Sequence, residues 1–169
     1  MGHRQWDGSR SSSTEGATAL AQPDDLLRTY YYHCLPYQSP TPTQEEAARF
    51  ARRQRFFHAL SRLDRFEVRE GKLALRGWDR TTGKPILEQK RVDIKLAVDL
   101  VLLATKHQIT RAVLVTGDSD FLPAIQASKN EGVVIHLCHG VGEHRPHREL
   151  WDAADTRTAI TETLIKGVS

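Results

Sequence analysis

Residues Ala112-Val-Leu-Val-Thr-Gly-Asp-Ser-Asp-Phe121 set two carboxylates, Asp118 and Asp120, directly after an apolar run and a Thr-Gly pair. The run, the glycine and the amphipathic Leu122-Pro-Ala-Ile continuation read as a buried strand, a tight turn and a helix start. In open α/β sheets, ligands gather outside the carboxyl ends of strands. Acids in that position have few structural uses and one common chemical use, which is to hold a divalent metal through hard oxygen ligands.

Further acids lie upstream. Asp93 opens the apolar-periodic stretch Val92-Asp-Ile-Lys-Leu-Ala-Val-Asp-Leu100, where it serves equally well as a helix N-cap. Asp99 follows six residues later, about 240° around the helix, so the two do not share a face. Asp120 also suits a cap, because Pro123 fits the first helical turn, where no amide is needed. Asp118 has the weakest structural explanation. It falls between strand and cap, where a buried, unpaired carboxylate is costly.

The elements that would position these acids follow from patterning. Residues 1–22 are rich in Ser, Gly, Thr and Ala and read as poorly ordered. Leu26–Leu35 is aromatic and β-prone, hence a strand. Thr43-Gln-Glu-Glu46 is a capping-box pattern that opens a helix to about Leu63. Phe66–Arg69 and Lys72–Arg76 flank a turn at Gly71 and read as short strands, and 77–84 as a loop. Beyond these, helices are expected at 93–107, 120–131 and 148–165, and strands at 112–116 and 133–138. Strands alternating with helices argue for a parallel sheet with crossover helices.

Composition limits the function classes. The chain has 169 residues, with 39% hydrophobic and 27% charged, which suits one soluble domain. A net charge of +3 is compatible with a polyanionic partner. Two cysteines, Cys34 and Cys138, give no disulfide framework and indicate a reducing compartment, hence the cytoplasm. No apolar run is long enough to span a membrane, and the start of the chain is too polar for a secretion signal.

The segments Val92–Leu100, Ala112–Ile125 and Lys129–His136 resemble NYN-domain proteins, the bacterial LabA-like group related to PIN-like nucleases. Arg28-Thr-Tyr-Tyr-Tyr32 resembles that family's second strand and Leu150–Asp155 its C-terminal helix. The resemblance spans residues 26–165. It implies a PIN-like (Rossmann-like) α/β three-layer sandwich with a mostly parallel central sheet over 23–169. It also implies an endoribonuclease that hydrolyses RNA at a carboxylate-held Mg²⁺ or Mn²⁺. The catalytic residues carried over are Asp93, Asp118 and Asp120, with Asp99 as a further metal ligand and Asp155 as a weaker one.

One departure stands out. The family begins with an apolar strand ending in Asp-Gly-x-Asn, and its Asp is a metal ligand. Here the Asp7-Gly8 pair is followed by Ser9-Arg10 and preceded by polar residues. Loss of that middle strand would expose two interior strand edges. Exchange of strands between two copies, and hence a homodimer, would cover them.

Candidate RNA contacts lie on the helix after Thr43, where Arg49, Arg52, Arg53 and Arg55 would form a basic face while Phe50, Phe57 and Leu60 point to the core. The same arginines also read as a solvated face balanced by Glu45, Glu46 and Asp64. Tyr31 should point opposite to Tyr30 and Tyr32. Cys138, His139, His144 and His147 have zinc-ligand chemistry but no common zinc spacing, and His136 reads as a satisfied core residue. Two functions therefore stand: a metal-dependent ribonuclease, or a non-catalytic RNA- or protein-binding module on the same fold with an incomplete metal site.

Overall fold

The computed structural model describes residues 10–83 and 85–162. Its elements are α1 (Arg10–Ala21), β1 (Thr29–His33), α2 (Gln44–Leu60), β2 (Phe66–Glu70), β3 (Lys72–Trp78), β4 (Pro85–Lys90), α3 (Val92–Thr105), β5 (Arg111–Val115), α4 (Leu122–Asn130), β6 (Val134–His139), α5 (Arg148–Ala153) and β7 (Thr156–Ala159). Short 3₁₀ turns occupy Ser119–Phe121 and Gly142–His144.

The chain is α/β and its long-range strand pairs are parallel, β1 with β2 and β5 with β6 with β7. Among the described residues the expected single central sheet is split. β1–β2 and β5–β6–β7 are separate sheets, and β3–β4 is an antiparallel ribbon of its own. The core sits where β6 runs between two neighbours. Ile135 and Leu137 are fully buried there and pack with Leu100 and Ala104 of α3, Phe121 just before α4, Ile125 of α4 and Leu150 of α5.

Local chemistry explains most boundaries. Thr43 caps α2 by the expected capping box, its side chain accepting from the Glu46 N–H while Glu46 returns to the Thr43 N–H. Phe57 and Leu60 are buried, and Tyr31 meets Phe56 and Phe57 edge-on while Tyr30 and Tyr32 lie together on the other face. The alternation expected of that strand is therefore present.

Three expectations are corrected. Residues 1–22 are not wholly irregular, because Arg10–Ala21 is helical (residues 1–9 lie outside the described residues). Its alanines and Leu20 are strong helix formers, and Ala21 is buried. The expected helix 148–165 stops at Ala153, and residues 163–165 lie outside the described residues. Ala154 turns extended and Thr156–Ala159 pairs with β6. β-Branched threonines favour the strand, and the Asp155 side chain anchors the switch by accepting the Ile135 N–H at 2.8 Å. Finally, Pro85–Lys90 is a strand where none was expected.

Gly71 is the tightest joint. Its N–H donates to His33 O at 2.9 Å. A Cβ there would meet Cys34 Sγ at 2.8 Å and Lys90 O at 2.9 Å, with Val92 Cγ2 closer still. Gly71→Ala should therefore cost about 1–3 kcal/mol through overpacking, read as a lower urea midpoint with unchanged slope.

Asp155 makes a second testable contribution. The Lys129 ammonium at 2.8 Å and the Ile135 N–H hold its carboxyl below the usual aspartate value. A depressed folded value means that its contribution is complete above about pH 4 and is lost as pH falls through the folded value. Asp155→Asn should cost about 1 kcal/mol at neutral pH, a modest figure because the pair is partly solvated. The loss should shrink in acid, as urea titrations from pH 7 to pH 3 would show.

Candidate functional site

Thr116–Asp120 leaves the carboxyl end of β5, where ligands of such sheets bind. Asp118 is itself the cap of the following 3₁₀ turn. Its Oδ1 accepts the Asp120 N–H at 3.0 Å, and its own N–H donates to Thr116 Oγ1 at 3.1 Å. The cap expected at Asp120 thus belongs to Asp118. Asp118 and Asp120 are both exposed, so neither bears the burial cost anticipated for Asp118. The second oxygen of Asp118 has no protein hydrogen bond among the described residues.

Asp93 is exposed in the first turn of α3. It is not the cap: that position is Arg91, in a left-handed conformation with φ 71° and no side-chain cap bond. A carboxylate in a first turn is favoured by the helix dipole. α3 packs against the Ser119–Phe121 turn, so Asp93 and the Asp118 loop belong to neighbouring elements.

Asp99 points elsewhere. The Tyr32 hydroxyl donates to its Oδ2 at 2.9 Å, and Arg69 Nε lies 3.6 Å away. Burial, and then the hydrogen bond to Asp99, raise the Tyr32 phenol well above its ordinary value, so it keeps the proton it donates. The Arg69 guanidinium also pairs with Glu67 at 3.1 Å and covers the Tyr30 ring at 5.5 Å. Asp99 is thus committed to protein partners. Its role is to tie α3 to β1 and β2.

Asp155 stands beside Ile135 near the amino end of β6, the opposite end of the sheet from Asp118. Among the described residues, no three His, Cys, Asp or Glu side chains are gathered to hold a metal ion. The exposed oxygens of Asp118 and Asp120 have the chemistry that Mg²⁺ or Mn²⁺ takes, and such ions keep several waters and need only one or two carboxylates. Among the described residues, Cys138, His139, His144 and His147 do not gather as a zinc group either. Burial pushes the Cys138 thiol up to about 11, and the His139 ring lies 4.8 Å from Trp151. His136 is satisfied as expected, by Thr156 Oγ1 at 2.7 Å and Thr158 Oγ1 at 3.0 Å.

The loop whose His144 and His147 the sequence offered as zinc ligands lies beside the acids instead. A Cβ on Gly117 would stand 4.0 Å from Pro146 Cα, so residues 140–147 lie against the acidic loop. They bring exposed His144, Arg145 and His147 to the same end of the sheet. Pro146 and the paired glycines 140 and 142 were the available signal.

The arginine helix divides. Arg49 donates to Tyr37 O at 3.4 Å, and Arg53 lies over Phe56 and Phe57 at 5.7 and 6.0 Å. Arg52 and Arg55 are exposed and set three residues apart, on one side of α2.

No solved structure matches this chain. An uncharacterized protein, y4oD, from Sinorhizobium fredii (strain NBRC 101917 / NGR234) is 40% identical over 50 residues, a stretch that is 30% of this chain and 23% of that protein. The profile of the NYN domain matches residues 17–161. That span takes in α3, the Gly-Asp-Ser-Asp turn and all of the parallel strands, and the chain therefore belongs to the NYN domain family, within the PIN-like nuclease superfamily.

Proposed function

We propose that this chain is a cytoplasmic endoribonuclease of the LabA-like kind, hydrolysing RNA at the loop after β5. The observation that carries the reading is the Asp118–Asp120 turn at the carboxyl end of a parallel strand, in a chain of a family whose members are broadly ribonucleases. Asp118 is the assigned base. Its uncommitted oxygen would take a proton from the water that attacks phosphorus, while the P–O bond to the leaving ribose oxygen breaks. Asp120 and Asp93 would flank it.

The acids cannot draw in RNA alone. A carboxylate and a phosphate charge about 5 Å apart repel by about 0.8 kcal/mol even in bulk water. Arg52 and Arg55 on α2 would supply phosphate contacts, and Arg145 stands at the same end of the sheet as the acids. Enzymes of this family generally use divalent metals. Here Asp118 and Asp120 would hold Mg²⁺ or Mn²⁺, which would supply positive charge to the attacked phosphate.

A second reading, a non-catalytic RNA- or protein-binding module, has a specific observation in its favour: Asp99 is tied up and no metal-holding group is gathered among the described residues.

Cleavage of labelled single-stranded RNA in Mn²⁺, Mg²⁺ and EDTA separates the two. The nuclease reading expects metal-dependent cleavage that falls at least about 100-fold in Asp118→Asn, while Asp99→Asn lowers thermal stability with little effect on the rate of the folded fraction. Binding without cleavage in any metal would leave the module. In either case, replacing Arg52 and Arg55 together by Ala should reduce the log–log salt slope of binding by about 1.4, about 0.7 for each lost phosphate contact. An unchanged slope would remove α2 from the interface.

A further inference from the structure

The β3–β4 ribbon stands apart from the body. Its strands pair only with each other, and no other described element packs extensively against either. A lone two-stranded ribbon is marginally stable in water unless something covers its apolar face.

The register gathers such a face. Leu75 lies opposite Leu87, and Trp78 opposite Pro85. Directly opposed residues share a face. Plain alternation from Leu75 would send Trp78 to the other side. The irregularity between Leu75 and Gly77 adds one residue to β3 and brings Trp78 back. Gly77, at φ 152°, takes a conformation open to glycine there. Leu75, Leu87 and Trp78 are 41%, 38% and 56% exposed. The Trp78 ring has no aromatic or cationic partner among the described residues.

Charge selects what covers this face. Residues 72–90 hold Lys72, Arg76, Arg80, Lys84 and Lys90 against Asp79 and Glu88. Their net charge of +3 equals that of the whole chain, so the remaining residues balance. Arg76 is paired with Glu88 across the ribbon. Asp79 shapes the tip, its Oδ1 accepting the Thr81 and Thr82 N–H groups at 2.8 and 2.6 Å. Arg80, two residues after Trp78, is exposed and has no ion pair among the described residues. Two copies of so positive a surface repel each other, whereas a polyanion complements it. A bare ring beside an unpaired cation suits single-stranded nucleic acid, whose bases stack and whose phosphates meet the charge. The ribbon is also rooted near the candidate site. Gly71 sits against Val92, and Lys90 comes three residues before Asp93, so both strands spring from the end of α3 that carries that acid.

We propose that the apolar face of the β3–β4 ribbon binds single-stranded RNA, with a base stacked on Trp78 and a phosphate on Arg80, and delivers it to the Asp93 end of α3. The choice of RNA rests on the ribonuclease reading above.

Anisotropy of labelled single-stranded RNA, titrated in EDTA so that cleavage plays no part, tests this on the full chain, Trp78→Ala, Trp78→Phe and Arg80→Ala. Trp78→Ala should weaken binding at least about fivefold at an unchanged salt slope, and Trp78→Phe, which keeps a ring, should weaken it less. Arg80→Ala should lower the log–log salt slope by about 0.7. Duplex RNA, whose bases already stack on one another, should bind the full chain and Trp78→Ala alike, which also shows the variant to be folded. Equal affinity of both Trp78 variants and the parent would overturn the proposal, as would an absence of binding in EDTA or an unchanged slope in Arg80→Ala. So would light scattering in which Trp78→Ala turns a dimer into a monomer at unchanged RNA affinity, which would make this face a contact between copies. The nuclease reading is judged separately, by cleavage in Mn²⁺ or Mg²⁺.

Discussion

Helix α3 is the element on which the rest of the molecule depends. With the sheet divided, no backbone ladder joins β1–β2 to β5–β6–β7 among the described residues. α3 spans the division, touching β1 and β2 on one side and α4 and the Asp118 turn on the other. Leu100 and Ala104 enter the core beneath β5 and β6, while Asp99 reaches the Tyr32 hydroxyl. Burying a leucine is worth about 2 kcal/mol and a hydrogen bond about 1 kcal/mol. Packing therefore holds the helix down, and the Tyr32–Asp99 bond fixes its rotation. Asp93 rides in the first turn of the same helix.

The sequence was most legible where a local rule decides. The capping box at Thr43, the strand alternation of Tyr30–Tyr32 and the apolar run into Thr116-Gly117 are all interactions between near neighbours, and all are found. The helical-wheel angle between Asp93 and Asp99 likewise separates a first-turn acid from one turned toward β1. Legibility failed where a distant partner decides. Thr156–Ala159 has a polar periodicity that fits either helix or strand, and β6, twenty residues earlier in register, settles it. Pro85–Lys90 is a strand because β3 lies beside it. Acids are a related case: spacing places Asp118 and Asp120 on one turn but cannot say which distant acids stand beside them, and no three such side chains gather among the described residues.

The arginines teach a similar lesson about charge. Counting cations along α2 gives a continuous basic face, yet Arg53 lies over Phe56 and Phe57 and Arg49 reaches a backbone carbonyl. A guanidinium stacked on aromatic rings contributes packing as well as charge. The charge available to a polyanion is therefore set by Arg52 and Arg55 more than by the composition of the helix. This also explains why a net charge of +3 says so little about partners.

Asp118 separates what folding requires from what it does not. The turn after β5 needs an acceptor at that position, because the Asp120 N–H would otherwise lack its 3.0 Å partner. Asn or Ser meets that need as well as Asp does. The helix dipole rewards an acid near an N-terminus by only about 0.3–1 kcal/mol at an exposed site, and Asp120 already supplies one there. A second negative charge two residues away repels the first and is screened only in part. The fold thus accounts for an oxygen at position 118 but not for its charge. The charge is what a proton acceptor needs, which makes Asp118, more than Asp93 or Asp99, the residue at which a chemical role would show itself.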